Sequence, residues 1–127
     1  MKANELRIGN YYHYHIIDEF DDPTEYDIVC QTDAEDLDIL SNEEDPDYRP
    51  IPLTEEWLLK FGFIKSKLEG YDVHFKYSHH LLHSSITALY NADFSLLLDN
   101  VARGIKYVHQ LQNLYFALTG EELTMKQ

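Results

Sequence analysis

Alternation of apolar and polar residues predicts that much of the first hundred positions forms strands. In the stretch 71–77 (YDVHFKY), tyrosine, valine and phenylalanine alternate with aspartate, histidine and lysine. Successive side chains of a strand point to opposite faces, so this stretch is expected to bury its aromatic face and expose the other. The other predicted strands are 6–17, 25–32, 37–40 and the two arms of a hairpin, 84–90 and 94–98.

Two further stretches predict helices, and the first is short and central, over about 54–61. Thr54 suits the N-cap, where its hydroxyl can accept from a first-turn amide, and Gly62 suits the position after the last turn. Leu53 and Leu58 occupy the two positions of a hydrophobic staple around that cap. The side chains expected to face inward are Trp57, Leu58 and Phe61.

The second helix is predicted over about 105–119 and ends at Gly120. Its apolar residues recur every three and four positions, which is the repeat of one helix face. The apolar face comprises Val108, Leu111, Leu114, Tyr115 and Leu118, and the polar face comprises Lys106, Gln110 and Asn113. Because strands and helices do not alternate as βαβ units, the sequence predicts an α+β fold with a mainly antiparallel sheet and both helices packed on it.

A chain of 127 residues with one cysteine is predicted to form a single domain over 1–127. Its apolar runs are far shorter than the roughly 18 residues of a membrane span, and its first residues show no apolar signal segment. Cys30 cannot form an internal disulfide and lies in a strand pattern with Ile28, so it is expected to be a small core residue. These features favour a cytoplasmic protein without a membrane partner.

Charge is the strongest feature of the composition, since the formal net charge is -13. Segment 18–56 holds 16 acidic residues and a single base, Arg49, so the acidity is local. An exposed loop is predicted near 42–50, where two prolines and four acids occur together. A field of this sign repels phosphate backbones, which argues against direct binding of DNA or RNA and favours a basic partner.

Histidines are the residues that raise the question of a metal site. His79, His80 and His83 are close in sequence, and His79 and His83 would share one face of a helix. Zinc requires three or four ligands, and no cysteine pair or HExxH motif completes the set, so no metal is predicted. The stretch 33–44 fails as an EF-hand because Asp38 stands where the calcium loop requires glycine. No nucleophile elbow or glycine-rich phosphate loop occurs, so nothing argues for an enzyme and no cofactor is predicted.

Three segments carry a likeness to known sequences: ANELRIGNYY near the start, PIPLTEEWLLKFGF in the middle and IKYVHQLQNLYFALTGEEL near the end. They resemble a family of short uncharacterised proteins encoded in phages and prophages of Bacteroides-type gut bacteria. The resemblance covers the two ends and the middle of the chain. It implies an accessory protein of phage origin in the host cytoplasm, and it brings no catalytic residues.

The leading hypothesis is a non-catalytic accessory protein that binds a host or phage protein with a basic surface. One form of this hypothesis is nucleic-acid mimicry, in which the acidic surface occupies a basic groove of a host defence protein. Tyrosine is enriched at interface hot spots, and the chain has ten tyrosines. The candidate partner-binding residues are Tyr11, Tyr12, Tyr14, Asp36, Asp38, Glu43 and Glu44.

Two other classes of function stay open at the level of sequence. A binder of a small nucleotide-like signal would stack a base on aromatic residues and meet phosphate with Arg103, Lys106 and histidines. A small metal-dependent hydrolase would need histidines as ligands. A homo-oligomer is compatible with each of these functions.

Overall fold

The computed structural model contains two antiparallel sheets and three helices in the part of the chain that it describes. This confirms the predicted α+β class, with a short central helix and a C-terminal helix. The described residues are 6–18, 24–42, 45–67, 74–79, 82, 85–89, 93–98 and 101–125. The chain divides into two compact units, Met1–Ile51 and Pro52–Gln127. That the whole chain is one domain therefore stays a prediction.

The first unit contains a three-stranded antiparallel sheet in the order β2-β1-β3. The long strands β1 (Tyr11–Asp18) and β2 (Thr24–Gln31) pair along their whole length, and β1 pairs through His13 and Tyr14 with the short β3 (Tyr48–Arg49). Most of each long strand lies in a predicted stretch, 6–17 for β1 and 25–32 for β2, although β1 begins only at Tyr11 and ends at Asp18, and β2 begins at Thr24.

The core of the first unit forms on one face of this sheet, which we call the tyrosine face. Residues that are paired across strands lie on the same face, and this face carries Tyr12, Tyr14, Tyr26, Ile28, Cys30 and Tyr48. The buried core consists of Leu6, Tyr12, Leu40 and Tyr48, with Tyr14, Cys30 and Leu37 packed against it. Cys30 thus contributes to the core, as its strand pattern predicts.

The prediction of a third strand over 37–40 is wrong, because these residues lie within helix α1 (Ala34–Asn42). Leu37 and Leu40 are three positions apart and therefore share the helix face that packs on the core. The helix begins with a reciprocal cap, because the Asp36 N–H donates to Asp33 Oδ1 (2.9 Å) and the Asp33 N–H donates to Asp36 Oδ2 (3.1 Å). This is the capping-box spacing with aspartate at both positions.

The exposed loop predicted near 42–50 is shorter than expected. Asn42 ends α1, and Tyr48 and Arg49 form β3. Tyr48 is buried with 6% exposure, because its ring stacks on Tyr12 in the core of the unit. Between these elements Pro46 is exposed, as expected for a loop residue.

The second unit contains a five-stranded antiparallel sheet in which each strand pairs with the next one in the sequence. The strands are β4 (Ile64–Lys67), β5 (His74–Ser78), β6 (Ile86–Leu89), β7 (Asp93–Leu98) and β8 (Val101–Ile105). β5 confirms the second half of the predicted strand 71–77, whose first residues lie outside the described ones, and β6 and β7 confirm the hairpin. The sequence did not predict β4 or β8, because all four residues of β4 are exposed and β8 carries Arg103 and Gly104.

Helix α2 (Glu55–Lys60) confirms the predicted central helix and its inward face. Leu58 is completely buried, and Trp57 and Phe61 are 8% and 2% exposed. Thr54 is the N-cap with an extended backbone, but its hydroxyl makes no capping hydrogen bond, so that detail of the prediction is corrected. Gly62 (φ 89°) ends the helix: its N–H donates to the Leu59 carbonyl, and the next N–H donates to Leu58. These are the two bonds of a Schellman motif.

Helix α3 (Val108–Thr119) starts three residues later than predicted. The Gln110 side chain accepts hydrogen bonds from the N–H groups of Lys106 (3.0 Å) and Tyr107 (3.2 Å), which caps the helix at Tyr107. At the other end Gly120 (φ 75°) adopts the left-handed conformation expected after a helix.

The buried face of α3 is rotated relative to the predicted stripe. Val108, Leu111 and Tyr115 are buried as predicted, but Leu118 is 47% exposed and does not belong to this face. His109 and Gln112 are buried instead. The Gln112 amide donates to the Leu123 carbonyl (3.2 Å), which satisfies a polar group inside the unit.

Candidate protein-binding surface

The outer strand of the first unit, β2, has one side that faces no other described strand. Hydrogen bonds around the ladder establish which backbone groups lie on that side. Just past the end of β2, the Thr32 N–H donates to the carbonyl of Asn10, which directly precedes β1 (2.7 Å). Within β1, the His15 N–H points the other way, toward β3, and donates to the Asp47 carbonyl (2.8 Å).

Bonded and non-bonded pairs alternate along an antiparallel ladder, so these two bonds determine the direction of every backbone group in β2. The even-numbered residues of β2 bond to β1. The N–H and C=O groups of residues 25, 27, 29 and 31 therefore point outward from the sheet. We call this outward row of backbone groups the open edge.

The side chains beside the open edge are exposed on both faces of the strand. Tyr26 and Ile28, on the tyrosine face, are 47% and 39% exposed. Glu25, Asp27 and Val29 lie on the opposite face, and Val29 is 49% exposed. The strand thus offers apolar surface on both faces and two carboxylates on one of them.

His15 on β1 lies against both carboxylates. Its Nδ1 is 2.8 Å from Asp27 Oδ1, and its Nε2 is 3.6 Å from Glu25 Oε2. The hydrogen bond with His15, and the charges of the nearby His13 and Arg49, hold the pKa of Asp27 below its ordinary value. Both carboxylates still reach solvent, since the Asp27 and Glu25 side chains are 39% and 65% exposed.

Tyrosines of β1 and β3 pack against one another on the tyrosine face of the sheet. The Tyr12 and Tyr48 rings are stacked with centroids 5.0 Å apart, and the Tyr14 ring meets Tyr48 edge-on at 5.3 Å. The Tyr48 hydroxyl donates to Asp36 Oδ1 (3.1 Å), which ties α1 to the sheet. Burial, and then the Asp36 carboxylate, raises the pKa of Tyr48 to about 12 and also raises the pKa of Tyr12.

The predicted tyrosine candidates lie in or near the interior of the chain. Tyr11 and Tyr12 are 7% and 3% exposed, so little of either ring is accessible to a partner. Tyr14 is half-buried and packs against the core. The tyrosine that does present its ring to solvent in this unit is Tyr26, on the open edge.

The predicted acidic candidates differ in their surroundings. Asp36 is half-buried, and its side chain bonds to Asp33 and Tyr48, so it serves the fold. Asp38 is exposed on α1. Glu43 and Glu44 lie outside the described residues.

Of the three candidate metal ligands, the structure describes His79. Its ring lies 5.1 Å from the Phe63 and Tyr115 ring centroids, and its Nδ1 is 3.4 Å from the Tyr115 hydroxyl. His80 and His83 lie outside the described residues. Within the described part of the chain, no three His, Cys, Asp or Glu side chains converge on a metal-binding position.

Two cavities in the second unit share Phe94 as a lining residue. The first, of about 300 Å³, is lined by Thr54, Glu55, Glu56, Tyr77 and Phe94. The second, of about 400 Å³, is lined by Pro52, Leu53, Phe94, Ser95, Gly104, Ile105 and Lys106.

Polar groups of the first cavity are paired with one another. The Tyr77 hydroxyl donates to Glu55 Oε1 (3.1 Å), and Lys65 Nζ lies 2.5 Å from the same oxygen. Lys65 and Tyr77 thereby lower the pKa of Glu55, while burial and Glu55 raise the pKa of Tyr77 to about 12. This carboxylate is thus occupied in holding α2 to the sheet.

The sequence reasoning missed the open edge as a surface. The stretch 25–32 is predicted as a strand, but the pattern of a strand does not reveal whether its outer side is paired. The signal that was available is the pair Glu25 and Asp27, because charges beside a strand are typical of sheet edges.

No protein-family model matches the chain, and comparisons with curated proteins and with solved structures yield no significant match. No helix in the described part of the chain is long and apolar enough to cross a membrane.

Proposed function

We propose that this chain is a non-catalytic binding protein that captures a protein with a basic surface through its acidic first unit. The observation that carries this proposal is the placement of carboxylates on regular elements. The exposed acidic residues there are Glu25 and Asp27 on β2, and Asp33, Glu35 and Asp38 at α1. Carboxylates on ordered elements keep a defined spacing, and that spacing supports electrostatic complementarity with little ordering cost on binding.

The resemblance of three segments to phage and prophage proteins supports a host or phage protein as the partner, met in the host cytoplasm. A DNA-binding groove is a protein surface of the required charge. Nucleic-acid mimicry against such a groove is the specific form of this proposal.

The test starts with the immobilised chain and an extract of a Bacteroides-type host, with bound proteins eluted by rising salt and identified by mass spectrometry. The identified partner is then purified, and its dissociation constant is measured for three variants that each remove two charges. The variants are Glu25→Gln with Asp27→Asn, Glu35→Gln with Asp38→Asn, and, as the control in the second unit, Glu121→Gln with Glu122→Gln.

At low salt, at least one first-unit double variant should weaken binding by roughly three- to tenfold, as expected for two partly screened charge contacts. The control should leave binding unchanged, and higher salt should weaken binding for every variant. Binding that does not depend on salt, or an equal loss in all three variants, would contradict the proposal.

A second candidate function is the binding of a small nucleotide-like signal in the second unit. It is favoured by one observation, that the exposed cation Lys106 lines a cavity of about 400 Å³ and could meet a phosphate there. Glu55 and Glu56 line the neighbouring cavity and would oppose a highly charged anion. Calorimetry with cyclic and ADP-ribose-type nucleotides tests this candidate, and absence of heat at high protein concentration would exclude it.

A further inference from the structure

We infer that the open edge of β2 binds its partner by strand addition, and that the partner contributes an extended segment with basic residues at alternate positions. This inference rests on the proposed function and names the mode of binding and the chemistry of the segment. A strand that joins a sheet edge gains main-chain hydrogen bonds, and its alternate side chains contact the two faces of the edge.

The backbone of β2 supplies a complete set of pairing groups. The strand has eight residues, and the outward N–H and C=O groups belong to residues 25, 27, 29 and 31. No described residue hydrogen-bonds to these groups across the edge. Proline, which would remove an outward donor, does not occur within β2.

The side chains beside the edge specify a two-sided partner. On one face Glu25 and Asp27 are exposed and held by His15, so a lysine or arginine of an added strand would meet a carboxylate. On the other face Tyr26 and Ile28 are exposed, and they would pack against an apolar residue of the same strand. An added segment that alternates basic and apolar residues satisfies both faces.

The carboxylates of Glu25 and Asp27 have a second explanation, which is protection of the edge against unwanted pairing. Natural sheets protect their edges with charged side chains. A purely protective edge would not also expose Tyr26, Ile28 and Val29 along the same strand. The combination of carboxylates on one face and exposed apolar side chains on both faces fits a specific partner better than protection.

A second copy of the chain is a less favourable occupant. Two copies would bring together two molecules that each carry a net charge of -13, and both would present Glu25 and Asp27 along the shared edge. Like charges across a strand pair are destabilising. A basic segment reverses this interaction and is the occupant to which the inference commits.

The test uses the full-length chain labelled with ¹⁵N and a synthetic peptide of alternating lysine and valine or threonine. Amide hydrogen exchange is followed by NMR with and without the peptide. In the free chain, the amides of residues 26, 28 and 30 should exchange slowly, and those of 25, 27, 29 and 31 should exchange rapidly. Saturating peptide should slow the second set at least tenfold, which is the signature of a new ladder on the outer side.

Two matched comparisons, one of variants and one of peptides, separate the contribution of backbone hydrogen bonds to binding from that of the side chains. Val29→Pro removes an outward donor without affecting the bonds to β1, and Val29→Thr keeps that donor with a side chain of similar size. Val29→Pro should weaken peptide binding at least tenfold, and Val29→Thr should stay within threefold of the parent. A peptide N-methylated on the edge that would pair with β2 should lose binding, whereas methylation of its other edge should leave binding unchanged.

Failure of the inference is distinguishable from failure of the proposed function. If the basic peptide and the captured partner bind as tightly to Val29→Pro as to the parent, but less tightly to Glu35→Gln with Asp38→Asn, the acidic surface binds without strand addition and the inference is overturned. If peptide is not bound and the chain instead forms dimers that Val29→Pro dissociates, the open edge pairs with itself and the inference is also overturned. If neither the peptide nor any salt-dependent partner binds, both proposals fail.

Discussion

Replacement of Asp36 tests whether this residue serves the fold or a partner. Its carboxylate accepts hydrogen bonds from the Asp33 N–H (3.1 Å) and the Tyr48 hydroxyl (3.1 Å), and it belongs to the reciprocal cap of α1. Loss of a helix cap costs about 1 kcal/mol. Loss of a hydrogen bond to a charged group costs about 1.5–3 kcal/mol, with the lower end expected here because Asp36 is only half-buried.

Asp36→Ala should therefore lower the free energy of unfolding by about 2–3 kcal/mol, as measured by urea unfolding followed by circular dichroism. Asp36→Asn retains an oxygen acceptor and loses the charge, so it should cost about half as much. The control is Glu35→Ala, which removes an exposed carboxylate from the same turn and should change stability by less than about 0.5 kcal/mol.

A double-mutant cycle assigns the loss to the bond with Tyr48. In a Tyr48→Phe background, Asp36→Ala should cost about 1 kcal/mol less than in the parent, because the coupling between the two side chains has already been removed. If Asp36→Ala costs no more than Glu35→Ala, or if the cycle shows no coupling, the structural role argued for Asp36 is incorrect. A variant that keeps its stability but loses a partner would restore Asp36 as a binding residue.

Three further predictions concern other parts of the chain. Trp57→Ala should lower the free energy of unfolding by about 3–5 kcal/mol in denaturant melts, since Trp57 is 8% exposed, and a loss below about 1 kcal/mol would mean that the ring contributes little to packing. Leu111→Asp should prevent folding as judged by circular dichroism, because Leu111 is 1% exposed and a carboxylate at this position would be buried without solvent or a partner. A variant that folds but loses a partner would instead make this face of α3 an interface. The lowered pKa of Asp27 means that its ionised form stabilises the fold above its ordinary value of 3.8, and that this contribution is lost as the pH falls through the folded-state pKa. Asp27→Asn should thus destabilise the chain above about pH 4, and its effect should diminish as the pH falls below that value, whereas a difference in unfolding free energy that does not change with pH would contradict the bond to His15.

The sequence predicted the elements whose signals are local. Helix α2 was predicted with its inward face, because a cap position, a hydrophobic staple and a terminal glycine all lie within ten residues. The long strands β1 and β2 were predicted because their composition favours extended backbone. These signals depend on neighbouring residues and on the period of a regular element, which a sequence displays directly.

The sequence-based predictions failed in two places, a short stretch that fits both a strand and a helix, and one face of a helix. The leucines of 37–40 are compatible with a strand or a helix, and the reciprocal cap between Asp33 and Asp36 resolves the choice in favour of a helix. On α3, Leu118 continues the apolar repeat but is exposed, whereas Gln112 is buried because the Leu123 carbonyl accepts its amide hydrogen bond. The partner of Gln112 is eleven residues away and has no characteristic spacing, whereas the aspartate cap has the spacing of a capping box but not its usual residue types.

The candidate surface depended on tertiary structure even more strongly. The sequence by itself established the acidic segment and predicted both the strand character of 25–32 and a basic partner. Strand order and register determine three features of this surface. β2 is the outer strand among those that the structure describes, His15 lies against Asp27 and Glu25, and the tyrosines predicted for a partner are largely used in packing. Strand order is set by which faces can be buried together across the whole unit, and this global free-energy balance leaves no mark at any single position of the sequence.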